Sequence, residues 1–161
     1  MFSSLRTATL ALILGAAAIA IISLPAQASD PEAGTWELNL AKSTFTNSPA
    51  PKSQTRTYEV TGQQVKMTGK GIDAQGKPIL FGFTATYDGK DYPYTGSAFQ
   101  DTISLTPVDA LTANWTGKKA GQVVITGTRV ISKDGKVMTI SGKGTDSKGQ
   151  PVEIIYVFDK R

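Results

Sequence analysis

Two arginines are the residues of this chain whose type and placement best suit chemistry. Arg56 shares a strand face with Gln54, Tyr58 and Val60, and Arg129 falls 73 residues later in the strand-like run from Val123 to Ile131. Both phase with apolar side chains rather than with the Thr and Glu of the opposite face, so each guanidinium is expected on the inward side of a strand. A guanidinium presents paired donors in a fixed fork that matches a carboxylate or phosphate, and once withdrawn from water it needs such a partner. Two roles are open to the pair. One is to bind the acidic head of a small ligand; the other is to snorkel at a strand end and stack on Trp36 as a barrel-closing cation–π contact. Tyr58, Phe83, Trp115 and Tyr156 fall on inward faces too, as plain core or as the walls of a hollow interior.

Composition removes most other chemistry. The chain has no His and no Cys, which eliminates Ser-His relays, imidazole bases, His metal ligands and thiolate nucleophiles. Asp73, Asp88, Asp134 and Asp146 sit in turns, where Asp is favoured for backbone reasons, and Glu37, Glu59 and Glu153 are expected on outward faces. No catalytic residue, metal site or cofactor is expected, and the protein reads as a non-enzyme. The net charge of +4 is mild and evenly spread, which does not point to nucleic acid.

The elements that must position these residues announce themselves through a repeat. Gly69-Lys70-Gly71-Ile72-Asp73-Ala74-Gln75-Gly76-Lys77-Pro78 returns as Gly142-Lys143-Gly144-Thr145-Asp146-Ser147-Lys148-Gly149-Gln150-Pro151, with six of ten positions identical. Each copy reads as a strand end, an Asp-x-x-Gly turn with Gly76 or Gly149 as its structural glycine, and a new strand opened by Pro. No helix follows either Gly-x-Gly, so neither is a phosphate loop. At the same offset of 73, Arg56 to Tyr87 aligns without gaps on Arg129 to Lys160, and the inward and outward faces stay in phase. Convergent hairpins and an ancient duplication both account for this.

Period-2 alternation continues through most of the chain. Trp36, Leu38 and Leu40 share one face of a first strand, Ala41 to Lys52 reads as a loop with Phe45 as a plug at the strand mouth, and strands then follow at short, even spacing. With no sustained 3.6-residue period, the expectation is an all-β fold, an up-and-down antiparallel meander β-barrel of eight to ten strands. Residues 1–28 read as a cleaved signal peptide: Arg6, an apolar run from Thr7 to Leu24, Pro25, then Ala26-Gln27-Ala28. That leaves residues 29–161 as a single barrel domain, periplasmic or secreted, without stable membrane insertion after cleavage. No Cys follows the apolar run to carry a lipid anchor.

The Gly34-Thr35-Trp36 start and the meander ending in an apolar strand resemble the calycin superfamily of lipocalins, fatty-acid-binding proteins and avidins. Residues 34 to 161 also look like a family of small exported bacterial proteins of unassigned function, with the same start and the segment Tyr87-Asp88-Gly89-Lys90-Asp91-Tyr92-Pro93. The resemblance implies a lipocalin-like barrel with a small lipophilic or amphipathic ligand inside. The chain departs from fatty-acid-binding proteins in lacking both a helical lid after the first strand and an Arg-x-Tyr pair in the last, and from avidins in having only Trp36 and Trp115. The alternative is a solid barrel acting as an interaction module, whose Lys70, Lys77, Lys143 and Lys148 would meet an acidic partner or envelope surface.

Overall fold

The period-2 segments become strands in the computed structural model, which describes residues 30–161, except that the first strand stops at Leu38 and leaves Leu40, expected on its inward face, exposed in a 3-10 turn; the leader assigned to residues 1–28 lies outside the described residues. In chain order the strands are β1 (Gly34–Leu38), β2 (Thr44–Thr46), β3 (Ser53–Thr61), β4 (Gln64–Ile72), β5 (Pro78–Thr86), β6 (Tyr92–Thr95), β7 (Thr102–Pro107), β8 (Thr112–Lys119), β9 (Gln122–Ile131), β10 (Val137–Thr145) and β11 (Pro151–Lys160). From β3 to β11 each strand pairs antiparallel with the next, and β1 pairs with both β3 and β11, which closes the wall. The result is an up-and-down meander barrel of ten wall strands with short β2 added against β11. Closure gives every wall strand a partner on both sides and leaves no long edge to recruit another chain.

The segment from Ala41 to Lys52, expected as loop, holds more structure. Leu40–Lys42 form a 3-10 turn capped by Asn39, and Thr44–Thr46 pair with Ile155, Ile154 and Glu153. The reason lies in β11: β1 pairs with it only from Phe158 to Lys160, so its mouth-side backbone groups need another partner, which β2 supplies. Phe45 turns in at this point and meets the Tyr156 ring edge-on at 5.0 Å.

The repeat is visible in the hydrogen-bond register. Gly69 lies opposite Phe81 in the β4–β5 hairpin and Gly142 opposite Ile154 in the β10–β11 hairpin, the same register at an offset of 73. The two turns share their closing bond: the Asp73 and Asp146 carboxylates accept the N–H groups of Lys77 and Gln150 at 2.7 and 2.8 Å, and Gly76 and Gly149 take φ of +88° and +77°. The preceding hairpins differ. Arg56 faces Gly69, whereas Arg129 faces Ile140 rather than Gly142. That two-residue slip leaves every side chain on its own face, because sheet periodicity is two.

The glycines of the repeat act within the strands as well as in the turns. A Cβ on Gly69 would lie 2.1 Å from Phe81 Cζ, and one on Gly142 would lie 2.7 Å from Trp115 Cζ2, so each glycine makes room for an inward aromatic ring. The barrel is packed at the end that carries the tight turns after Thr61 and Ile131: Trp36, Val65, Met67, Ile131, Met138 and Phe158 are fully buried there. Toward the Asp73 and Asp146 turns the packing opens.

Candidate ligand cavity

The open part of the barrel encloses a cavity of about 380 Å³. Its mouth is bordered by Ser48 and Pro49 of the β2–β3 connection, by Phe99 and by Asp146, and its floor is polar. Arg56, Tyr58, Phe83, Trp115, Arg129 and Tyr156 all line this one space. Trp115 is fixed by the close approach of Gly142, and its Nε1 is buried with no hydrogen-bond partner among the described residues.

Trp36 is not where the arginines stack. The Lys160 ammonium lies over the Trp36 ring at 4.9 Å, while the Arg56 guanidinium sits 5.5, 5.3 and 4.9 Å from the Phe81, Tyr156 and Phe158 ring centres. The side chain of Gln54 explains the difference: its Oε1 accepts the Arg56 Nε–H at 2.9 Å, and residue 54 lies one step nearer the mouth on the same face, so the fork is drawn away from Trp36. Arg56 is central in β3 rather than at a strand end, and no carboxylate pairs with it among the described residues. A guanidinium keeps its proton at any ordinary pH. The phenols around it stay neutral, since burial pushes Tyr58 and Tyr156 up and takes Tyr94 to about 12.

Arg129 has a different environment. Glu32, from the turn at residues 30–33 before β1, reaches into the floor and places Oε2 2.5 Å from Arg129 Nη1; the Tyr87 hydroxyl donates to the same oxygen at 2.5 Å, and the Arg129 guanidinium lies 5.6 Å from the Tyr87 ring. The ion-pair contact is close but poorly aligned, and Arg129 Nε and Nη1 have no directed acceptor among the described residues. The Ala33 N–H donates to the Asp30 carbonyl at 3.0 Å to close the turn, and three further bonds hold it: Asp30 Oδ1 accepts the Glu32 N–H, the Glu32 carbonyl accepts Trp36 Nε1–H at 2.9 Å, and the Pro31 carbonyl accepts from Lys160 Nζ at 3.0 Å.

Burial raises the Glu32 carboxyl above the usual carboxylate range, against the opposing pull of Arg129 and Tyr87. A carboxyl with a raised folded-state pKa favours the folded state at low pH, and that contribution is lost as pH climbs through the raised value. Glu32→Gln removes the titration. The stability difference between wild type and Glu32→Gln should therefore shift against wild type as pH rises from the ordinary carboxylate range through the raised one, and urea unfolding at a series of pH values checks it. A flat difference would mean that Glu32 titrates normally.

Glu32, Tyr87 and Tyr94 are among the cavity residues that sequence reading did not single out. Tyr87 carried a signal, since it continues the inward face of Ile79, Phe81, Phe83 and Ala85. Tyr94 lies in a strand of only four residues, and Glu32 in a turn with no periodicity to read. Of the lysines considered for partner contact, Lys143 pairs with Glu153 at 3.1 Å, while Lys70, Lys77 and Lys148 have no acidic partner among the described residues.

The meander, its closure through β1 and the internal cavity define a closed up-and-down antiparallel β-barrel with room for a small molecule. No family model matches the chain, and no curated protein sequence does. Solved structures similar in fold include zebrafish ileal bile acid-binding protein complexed with cholic acid, at 11% identity and a TM-score of 0.49 over 81% of this chain and 99% of that one. A redesigned β-barrel, mFAP1, bound to DFHBI matches at 16% identity and a TM-score of 0.41, covering 81% of this chain and 95% of its own.

Proposed function

We propose that this protein is an exported, non-enzymatic barrel that binds one small amphipathic anion, with the acidic group on Arg56 and the apolar body among the surrounding rings. The observation that carries this is a charge imbalance: the charged side chains facing the cavity interior are the guanidiniums of Arg56 and Arg129 and the carboxylate of Glu32, and Glu32 is spent on Arg129. Among the described residues one positive charge is left without a counter-ion in a space walled by aromatic rings, where a ligand acid would gain charge-assisted bonds at low competition from water. Asp146 does not supply the missing charge, because it borders the mouth and its Oδ1 accepts the N–H groups of Lys148 and Gln150. The cavity falls within the usual size of small-molecule sites, about 300 to 1,000 Å³. Export rests on the leader-like residues 1–28.

A fluorescent naphthalene sulfonate should bind the folded protein in a one-to-one complex with a blue-shifted emission, and fatty acids or aromatic carboxylates should displace it. Neutral alcohols of the same carbon skeleton should compete far less well. Equal competition by acid and alcohol would remove Arg56 from the reading, and no binding of either would remove the ligand.

A further inference from the structure

Arg129 stands at the position of the second repeat that Arg56 occupies in the first, faces the same cavity, and differs chiefly in having a carboxylate already on it. That carboxylate does not come from the barrel wall. It is delivered by the turn at residues 30–33, in the place that a ligand acid would take between a guanidinium and a tyrosine hydroxyl. We propose that Arg129 is a second anion site closed by Glu32 as an internal ligand, and that the cavity takes an anion with two acidic groups once Glu32 is discharged. This deepens the reading of Arg56 as an anion site and rests on it.

Three observations support the second site. The Glu32 contact leaves Arg129 Nε and Nη1 without directed acceptors, so the fork is incompletely used and a better-aligned acid has bonds to gain. Arg56, Tyr58 and Arg129 line one and the same cavity, so both guanidiniums are open to a single ligand. Charge counting supplies the switch: with Glu32 ionised the floor holds one uncompensated positive charge, and with Glu32 neutral it holds two. The groups facing Glu32 are Arg129 from β9, Tyr87 at the end of β5, Tyr58 from β3 and Asp30 from its own turn. Burial and Asp30 favour the neutral acid, while Arg129 and the Tyr87 hydroxyl oppose it. A second acidic group on a ligand would take over the role of Glu32 at Arg129, and by linkage its binding would draw a proton onto Glu32.

The test compares a naphthalene monosulfonate with a naphthalene disulfonate, whose charges do not change with pH in the working range. For wild type, the affinity ratio of disulfonate to monosulfonate should rise about tenfold as pH falls through the raised Glu32 range. Glu32→Gln should show the raised ratio already at neutral pH and lose its pH dependence, and Arg129→Met should never show it. A ratio that stays flat with pH in wild type and unchanged in Glu32→Gln overturns the proposal. Should Glu32→Gln fail to fold, judged by circular dichroism, the wild-type pH series and Arg129→Met decide alone. Monosulfonate binding that survives Arg56→Met instead overturns the underlying reading of the cavity, a result distinguishable from failure of the second site.

Discussion

Arg56→Met is expected to weaken binding of an anionic amphipathic probe about ten- to a hundredfold, the loss of one or two charge-assisted hydrogen bonds at about 1.5–3 kcal/mol. The same variant should keep its stability without ligand to within about 1 kcal/mol, because deleting a desolvated, unpaired charge offsets the lost ring contacts. The two readouts separate binding from structure. A guanidinium that served only to cement Phe81, Tyr156 and Phe158 together would, on removal, lower the unfolding midpoint and leave anion selectivity untouched. Titration with the naphthalene monosulfonate, alongside urea unfolding of the free protein, distinguishes them. Met retains most of the apolar stem, so the change is one of charge rather than of packing.

Trp36→Ala should have the largest effect on stability, a loss of about 3–5 kcal/mol. Trp36 is 0% exposed, pairs across from both Arg56 and Lys160 where the barrel closes, and carries the Lys160 ammonium over its ring. Its deletion leaves a cavity at the packed end and the Glu32 carbonyl without its indole donor. The second consequence reaches the ligand site, since that bond helps to hold the turn that places Glu32 on Arg129. Chemical denaturation measures the first effect. Weakened pH dependence of disulfonate binding measures the second, and Trp36→Phe, which restores bulk without the N–H, should recover stability more than it recovers the pH dependence.

Most of the barrel was legible because its period is written into the chain. Alternation of Trp36 with Leu38, of Tyr58 with Val60 and of Phe81 with Phe83 assigns each strand its inward face, and Asp73 with Gly76 or Asp146 with Gly149 marks where the chain reverses. The repeat conveyed more than turns, because Gly69 and Gly142 also make room for Phe81 and Trp115. β2 was not legible: Thr44–Thr46 has no strand pattern of its own and forms because β11 has backbone groups to fill.

The site divides in the same way. Sequence placed Arg56, Arg129 and four aromatic residues on inward faces, since facing follows from local periodicity and a side chain's parity is fixed by its neighbours. It could not assign their partners. That Lys160 rather than an arginine covers Trp36, that Gln54 turns Arg56 toward the mouth, and that Glu32 arrives from a turn to neutralise Arg129 all depend on residues 97 to 124 positions apart or on geometry within one face. The chain alone therefore determined an up-and-down meander with two inward cations, because periodicity and turn chemistry are local properties, whereas its closure rests on β1 pairing with both β3 and β11. Only the tertiary structure decided which cation is already paired and which is free, because compensation of a buried charge is settled by whatever the closed barrel brings within a few ångströms of it.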